Sequence, residues 1–149
     1  MNTIGRLKII GIMMFAFTLF AGCEGKFEKV EEDRFVGEWE LQGRGILDGM
    51  NIKIDTDNDK LVGRISKLND NKYVLMFSEI GDIWITEISR TSKFQFELTE
   101  KKIAGQLFSM YDISTSTEFK VEFTDNNTFG ISAKNQDPSK SKALYKRIE

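Results

Sequence analysis

The chain contains no histidine, one cysteine and one proline in 149 residues. Each shortage removes a class of function. Histidine is the only side chain whose unperturbed pKa lies near neutrality, and it is the commonest general base and metal ligand. Without it, Ser–His and Cys–His nucleophile pairs and His-ligated zinc sites are excluded, and catalysis would have to run on carboxylates, lysine or tyrosine. A lone cysteine cannot form an internal disulfide, so a disulfide-stapled secreted fold is excluded as well. Nor is there a block of one charge sign. The 21 basic and 23 acidic residues give a formal net charge of −2, and no basic cluster marks a nucleic-acid surface. No pair of carboxylates stands out. The chain therefore reads as a non-enzyme with no catalytic residue, no cofactor and no nucleic-acid partner.

The single cysteine closes an apolar run. MNTIGRLK carries Arg6 and Lys8 with no acid, and Ile9 to Ala21 follows without a charge. That run is shorter than the about 20 apolar residues of a membrane-spanning helix. It matches the apolar core of a signal peptide behind a positive N-terminus, with the small residues Ala21 and Gly22 after it. LFAGC, Leu19 to Cys23, resembles the lipobox of bacterial lipoproteins, with Phe20 where leucine is usual. That resemblance implies a signal peptide over 1–22, cleavage before Cys23 and lipidation of its thiol. The mature chain would then be anchored by acyl chains such as palmitate in the bacterial cell envelope, at the outer membrane, on a side the sequence leaves open. Each buried methylene of such an anchor contributes about 0.8 kcal/mol. A secretory signal with an incidental cysteine and a short membrane anchor are the other readings of these residues. Residues 23–34 are mostly charged, with only Phe27 and Val30 apolar among Glu24 to Arg34, and read as a tether or a short lead-in.

From Phe35 onward the apolar pattern has period two, the mark of a sheet with one wet and one buried face. FVGEWELQ places Phe35, Gly37, Trp39 and Leu41 on one face. MNIKI aligns Met50, Ile52 and Ile54; FQFEL aligns Phe94, Phe96 and Leu98; FKVEF aligns Phe119, Val121 and Phe123; and Phe129, Ile131 and Ala133 share a face near the end. LVGRISKL, YVLMFS, DIWITEIS and LYKRI read as further strands. KIAGQLFSMYD suits either a strand or a helical turn. Turns are expected at DTDND (55–59), NDN (69–71), TEKK (99–102) and TDNN (124–127). Eight to ten short antiparallel strands at this spacing describe a sandwich or a closed barrel.

FVGEWEL carries a second resemblance. An apolar residue followed by Gly-x-Trp at the first strand is similar to the start of lipocalins and related bacterial lipocalin-like domains. The resemblance implies an all-β, up-and-down antiparallel barrel over 35–149, with Gly37 and Trp39 at its closed end. It also implies a basic residue of the last strand packed across the indole, Arg147 in LYKRI with Lys146 as the alternative. A cation over an indole face contributes about 0.5–2 kcal/mol, and pairing first strand with last closes a barrel. The other reading of Trp39 is the core tryptophan of a β-sandwich.

Three groups of residues are candidate sites. Phe94, Phe96, Phe119, Phe123 and Phe129 fall on inward faces and either line an apolar ligand cavity or form packed core. Asp55, Asp57 and Asp59 have the one-three-five spacing of a calcium loop, but Lys60 and Ser66 stand where glycine and a bidentate glutamate are needed, so a hairpin turn explains them equally. Trp84 in DIWIT lies opposite Ile83 and Ile85 in strict alternation. It is either an outward interface or carbohydrate-stacking residue, or part of a strand buried on both sides.

Together these features describe an envelope lipoprotein whose barrel binds a small apolar or amphipathic ligand. The alternative is a structural or interaction module with a solid barrel and an envelope protein or glycan as partner. The partners expected are thus the membrane, through the lipid anchor, and a small hydrophobic ligand; no particular protein partner is indicated. Cys23→Ser is expected to leave the domain folded and move it from the membrane fraction to the soluble fraction. Tight membrane association of that variant would mean that the apolar segment itself is the anchor.

Overall fold

The computed structural model describes residues 29–148. Eight antiparallel strands form a closed up-and-down barrel in sequence order, β1 to β8. They are β1 (Gly37–Gln42), β2 (Asn51–Asp57), β3 (Lys60–Lys67), β4 (Ile83–Arg90), β5 (Gln95–Lys101), β6 (Ser116–Asp125), β7 (Thr128–Ser132) and β8 (Leu144–Arg147). β1 pairs with β8 through Trp39 opposite Arg147 and Leu41 opposite Tyr145, so no sheet edge remains. Two short helices, α1 (Lys72–Phe77) and α2 (Gly105–Ser109), lie in the β3–β4 and β5–β6 connections. Single 3₁₀ turns occupy Glu32–Phe35, Gly45–Leu47 and Pro138–Lys140.

The period-two pattern explains the wall. Trp39, Leu41, Ile52, Ile54, Phe96, Leu98, Val121, Phe129, Ile131 and Tyr145 are fully or almost fully buried, while Lys53, Asp55, Arg64, Glu87, Glu118 and Lys146 face water. A membrane-spanning barrel has the reverse arrangement, with an apolar outer band.

The two ends of the barrel differ. At one end lie the tight turns β2–β3, β4–β5 and β6–β7, and here the chain arrives through the 3₁₀ turn Glu32–Phe35. In the β2–β3 turn Asn58 and Asp59 both have positive φ, 50° and 61°, as a two-residue type I′ hairpin requires. Phe35 is the plug of this end. Its ring lies 4.9, 4.8 and 5.2 Å from those of Phe96, Phe123 and Phe129, and the Trp39 indole N–H donates to its carbonyl at 2.8 Å. Three guanidinium groups cover the aromatic rings: Arg34 over Phe123 at 4.5 Å, Arg90 over Phe96 at 4.7 Å and Arg147 over Trp39 at 4.2 Å. Arg147 also donates to the carbonyls of Val36 (2.9 Å) and Arg34 (2.6 Å), tying the arriving chain to the last strand. Gly37 has φ 141°, and a Cβ there would run into the Arg147 guanidinium, so glycine is needed for both conformation and space. At the opposite, open end the connections β1–β2, β3–β4, β5–β6 and β7–β8 are long.

Several local expectations are corrected. YVLMFS is not a strand: it forms most of α1, because Asn71 caps the helix by accepting from the Tyr73 N–H at 3.0 Å, and within α1 only Val74 is buried. TEKK is not a turn, since Thr99, Glu100 and Lys101 continue β5. β1 begins at Gly37 rather than Phe35, which the 3₁₀ turn swings into the barrel. Phe94 precedes β5 and is 41% exposed rather than inward. The ambiguous KIAGQLFSMYD contains α2.

Because Phe35 is fully buried against three phenylalanine rings, Phe35→Ala is expected to lower stability by about 3–5 kcal/mol. The reading is the shift in urea midpoint at unchanged slope. A loss below about 1 kcal/mol would mean that the plug is dispensable.

Candidate functional site

The open end holds the one buried charged cluster among the described residues. Tyr145 on β8 and Glu100 on β5 are buried in the interior, and Trp84 on β4 joins them. One step on β3, from Arg64 to Gly63, spans Ile83 to Ile85 on β4, so Trp84 is the extra residue of a bulge. The bulge lets Trp84 and Ile85 both be buried, and Gly63 leaves room for the Ile85 side chain, which a Cβ would meet at 2.8 Å. The Trp84 indole N–H donates to the Tyr145 hydroxyl at 3.0 Å. That hydroxyl in turn donates to Glu100 Oε1. Arg44, from the β1–β2 connection, completes the cluster with a bidentate pair, Nη1 to Oε1 at 2.9 Å and Nη2 to Oε2 at 2.7 Å.

The cluster is electrostatically closed. Glu100 accepts three hydrogen bonds and neutralises the one guanidinium beside it, the condition under which a buried charge is tolerated. Burial works against the Arg44 charge, but the hydrogen bonds and charge of Glu100 outweigh it and hold its pKa above the ordinary arginine value. Burial, and after it the Glu100 charge, push the Tyr145 phenol well above the ordinary tyrosine value. Arg44 also lies 5.3 Å from the centre of the Phe119 ring.

Above this floor opens a cavity of about 310 Å³, walled mainly by Ile46, Leu47, Ile103, Phe108 and Phe119. A second cavity of about 340 Å³ shares Trp84, Lys101, Lys102 and Ile103 with it and runs beneath Phe77 and Gly105. A cleft of about 450 Å³ continues between α1 and α2. The arrangement offers an apolar wall, a neutralised polar floor and two lysines at the waist.

The structure places the residues singled out by sequence as follows. Gly37, Trp39 and Arg147 come together at the closed end. Phe96 and Phe129 are fully buried in the ring packing around Phe35, Phe123 is half-buried beside them, and Phe94 is exposed at the same end. These four line none of the three cavities at the open end; of the five, Phe119 lines the cavity at the mouth. Asp55 pairs with Lys53 at 3.4 Å and Asp57 with Arg64 at 3.1 Å, while Asp59 forms the hairpin turn. Among the described residues no group of three His, Cys, Asp or Glu is placed to hold a metal. Trp84 is 4% exposed, so it is not an outward stacking residue. Cys23 and the segment 1–22 lie outside the described residues.

Sequence reasoning missed Arg44, Glu100 and Tyr145. A signal for Glu100 was present: Phe96, Leu98 and Glu100 continue one alternation, which puts an acid on the inward face. Comparison with protein-family models, curated proteins and solved structures finds no match to this chain.

An unfolded tyrosine loses its proton near pH 10. Folded Tyr145 keeps its proton beyond that point, so its contribution is complete below about pH 10 and declines above it. The urea midpoint should therefore fall as pH rises past about 10. Tyr145→Phe, less stable at neutral pH by about 1–3 kcal/mol, should lose part of that slope. Equal slopes for the two proteins would show that Tyr145 titrates as a free tyrosine.

Proposed function

We propose that this protein is a lipid-anchored envelope lipoprotein whose lipocalin-like barrel binds a small apolar or amphipathic molecule, and that the ligand sits at the open mouth rather than in the middle. The observation that carries this reading is the apolar cavity of about 310 Å³ above the Arg44–Glu100–Tyr145–Trp84 floor. Ligand pockets run from about 300 to 1,000 Å³ and combine apolar walls with a few placed polar groups. The volume favours a compact molecule or one end of a longer one. Below the floor the barrel is filled by Trp39, Phe96, Phe129 and their neighbours, and these three have no exposed surface. The lipocalin-like character draws support from the Trp39–Arg147 stack, and the anchor from the LFAGC motif.

The mechanism is binding without covalent chemistry. The apolar part of the ligand displaces water from Ile46, Leu47, Phe108 and Phe119. Arg44 spends two of its five N–H groups on Glu100, and its remaining donors and the Lys101 and Lys102 ammonium groups are available to a polar head. The pair with Glu100 fixes the guanidinium in place, so little side-chain entropy is lost on binding.

A hydrophobic fluorescent probe is expected to bind the protein one to one, and native mass spectrometry of material purified from its membrane should show a retained lipid. Ile46→Glu, at a half-exposed position of the wall, should weaken the probe at least tenfold, while Phe94→Ala at the closed end should not change it. If wild type binds no probe and carries no lipid, the carrier reading fails and the solid-barrel interaction module replaces it.

A further inference from the structure

The strongly exposed large hydrophobic side chains are not scattered. Among the described residues, all of them except Phe94 lie on three connections at the open end, with Met76 67%, Ile80 68%, Met110 76% and Tyr111 75% exposed. Single exposed apolar residues are normal on any protein, but a contiguous group at one end marks a binding face. The three connections are joined to one another. The Asn69 side-chain amide donates to the carbonyls of Ile46 and Asp48, both at 2.8 Å, and the cleft between α1 and α2 is walled by Leu75, Met76 and Leu107.

We propose that this apolar rim is a docking face for a second envelope protein, one that presents an apolar and weakly charged surface to the barrel from the side away from the anchoring membrane. Two observations select that occupant. First, the arriving chain is fixed at the opposite end: the Val30 N–H donates to Lys93 O at 3.0 Å, and Arg90 donates to Val30 O at 2.7 Å. Val30 follows Cys23 by seven positions, which span at most about 25 Å. On the lipid-anchor reading of Cys23, on which this step rests, the closed end stays near the membrane and the rim points away from it. Two copies anchored in one leaflet are each tethered at the end opposite the rim, so pairing rim to rim would require both to tip onto their sides. Second, the acids Asp70, Glu79 and Asp112 are interspersed with Lys72, Lys101 and Lys102, so the rim lacks the basic cluster that draws a protein onto anionic lipid. A partner that reads this face therefore does so by apolar burial, bordered by charges of both signs.

The test uses the full chain in its own membrane, with a photo-crosslinking phenylalanine analogue placed at Met76, at Met110 and, as a control, at Lys53 on the outer wall. The expected result is one discrete protein adduct, of the same identified partner, from Met76 and Met110 and none from Lys53. The purified partner should bind wild type in detergent, and the double change Ile80→Glu with Tyr111→Glu, at exposed positions, should weaken it at least tenfold while the melting temperature stays within a few degrees. An adduct with the mass of two copies, an adduct to lipid, the same yield from Lys53, no adduct at all, or unchanged affinity of the double variant would each overturn the proposal. Fractionation of Cys23→Ser reports on the anchor reading alone, so the two failures are distinguishable.

Discussion

The stack of Arg147 on Trp39 is the contact on which the barrel depends, because it joins the two ends of the folded chain at the point where the sheet closes. One guanidinium lies over the indole at 4.2 Å and at the same time donates to the carbonyls of Arg34 and Val36. The arriving segment, the first strand and the last strand therefore share a single side chain. Gly37 makes the approach feasible by having no Cβ. With that junction fixed, Phe35 is held inside and the aromatic rings of β5, β6 and β7 close around it. All the ordered volume at this end serves cohesion, and the ends of the barrel divide their work: one is filled, the other is left open.

At the open end the physics is of another kind. A carboxylate and a guanidinium are buried together, and each is tolerable only because the other is there. Trp84 and Tyr145 extend the pair into a chain of donors that fixes four side chains from four separate parts of the sequence. The pair holds the β1–β2 connection over the mouth, which places Ile46 and Leu47 as cavity wall. The same residues that exclude water from the barrel thus shape the surface above it.

Much of the fold was legible because a period of two is a strong signal when one face is wet and the other dry. The inward faces of β1, β5 and β7 and the tight β2–β3 and β6–β7 hairpins can be read directly from alternation and Asx-rich turns, whereas the β4–β5 turn has no Asx residue between Arg90 and Gln95 and carries no such signal. What alternation alone misjudged has identifiable causes. YVLMFS is apolar at almost every position, so it has no period to distinguish strand from helix, and the Asn71 cap decides. Trp84 sits in a bulge, which breaks the rule that consecutive residues face opposite ways. The inward phenylalanines gather at the filled end because the 3₁₀ turn carries Phe35 among them, a long-range fact that no local pattern holds. Glu100 is the instructive case. It obeys the alternation, yet a charge at an inward position looks like the end of a strand until its partner, Arg44, is known to lie 2.7 Å away.

The pairing of β1 with β8 also governs how the molecule comes into being. The two strands are separated by almost the whole domain, and bringing distant segments together is the slow, entropically costly part of forming a β-barrel. Until β8 has emerged, Trp39 has no cation above it, Phe35 has no finished socket, and β1 and β7 remain as open edges that any other extended chain can join. A barrel that still lacks β8 is thus open to edge-to-edge association, and a chain cut before β8 would stay so.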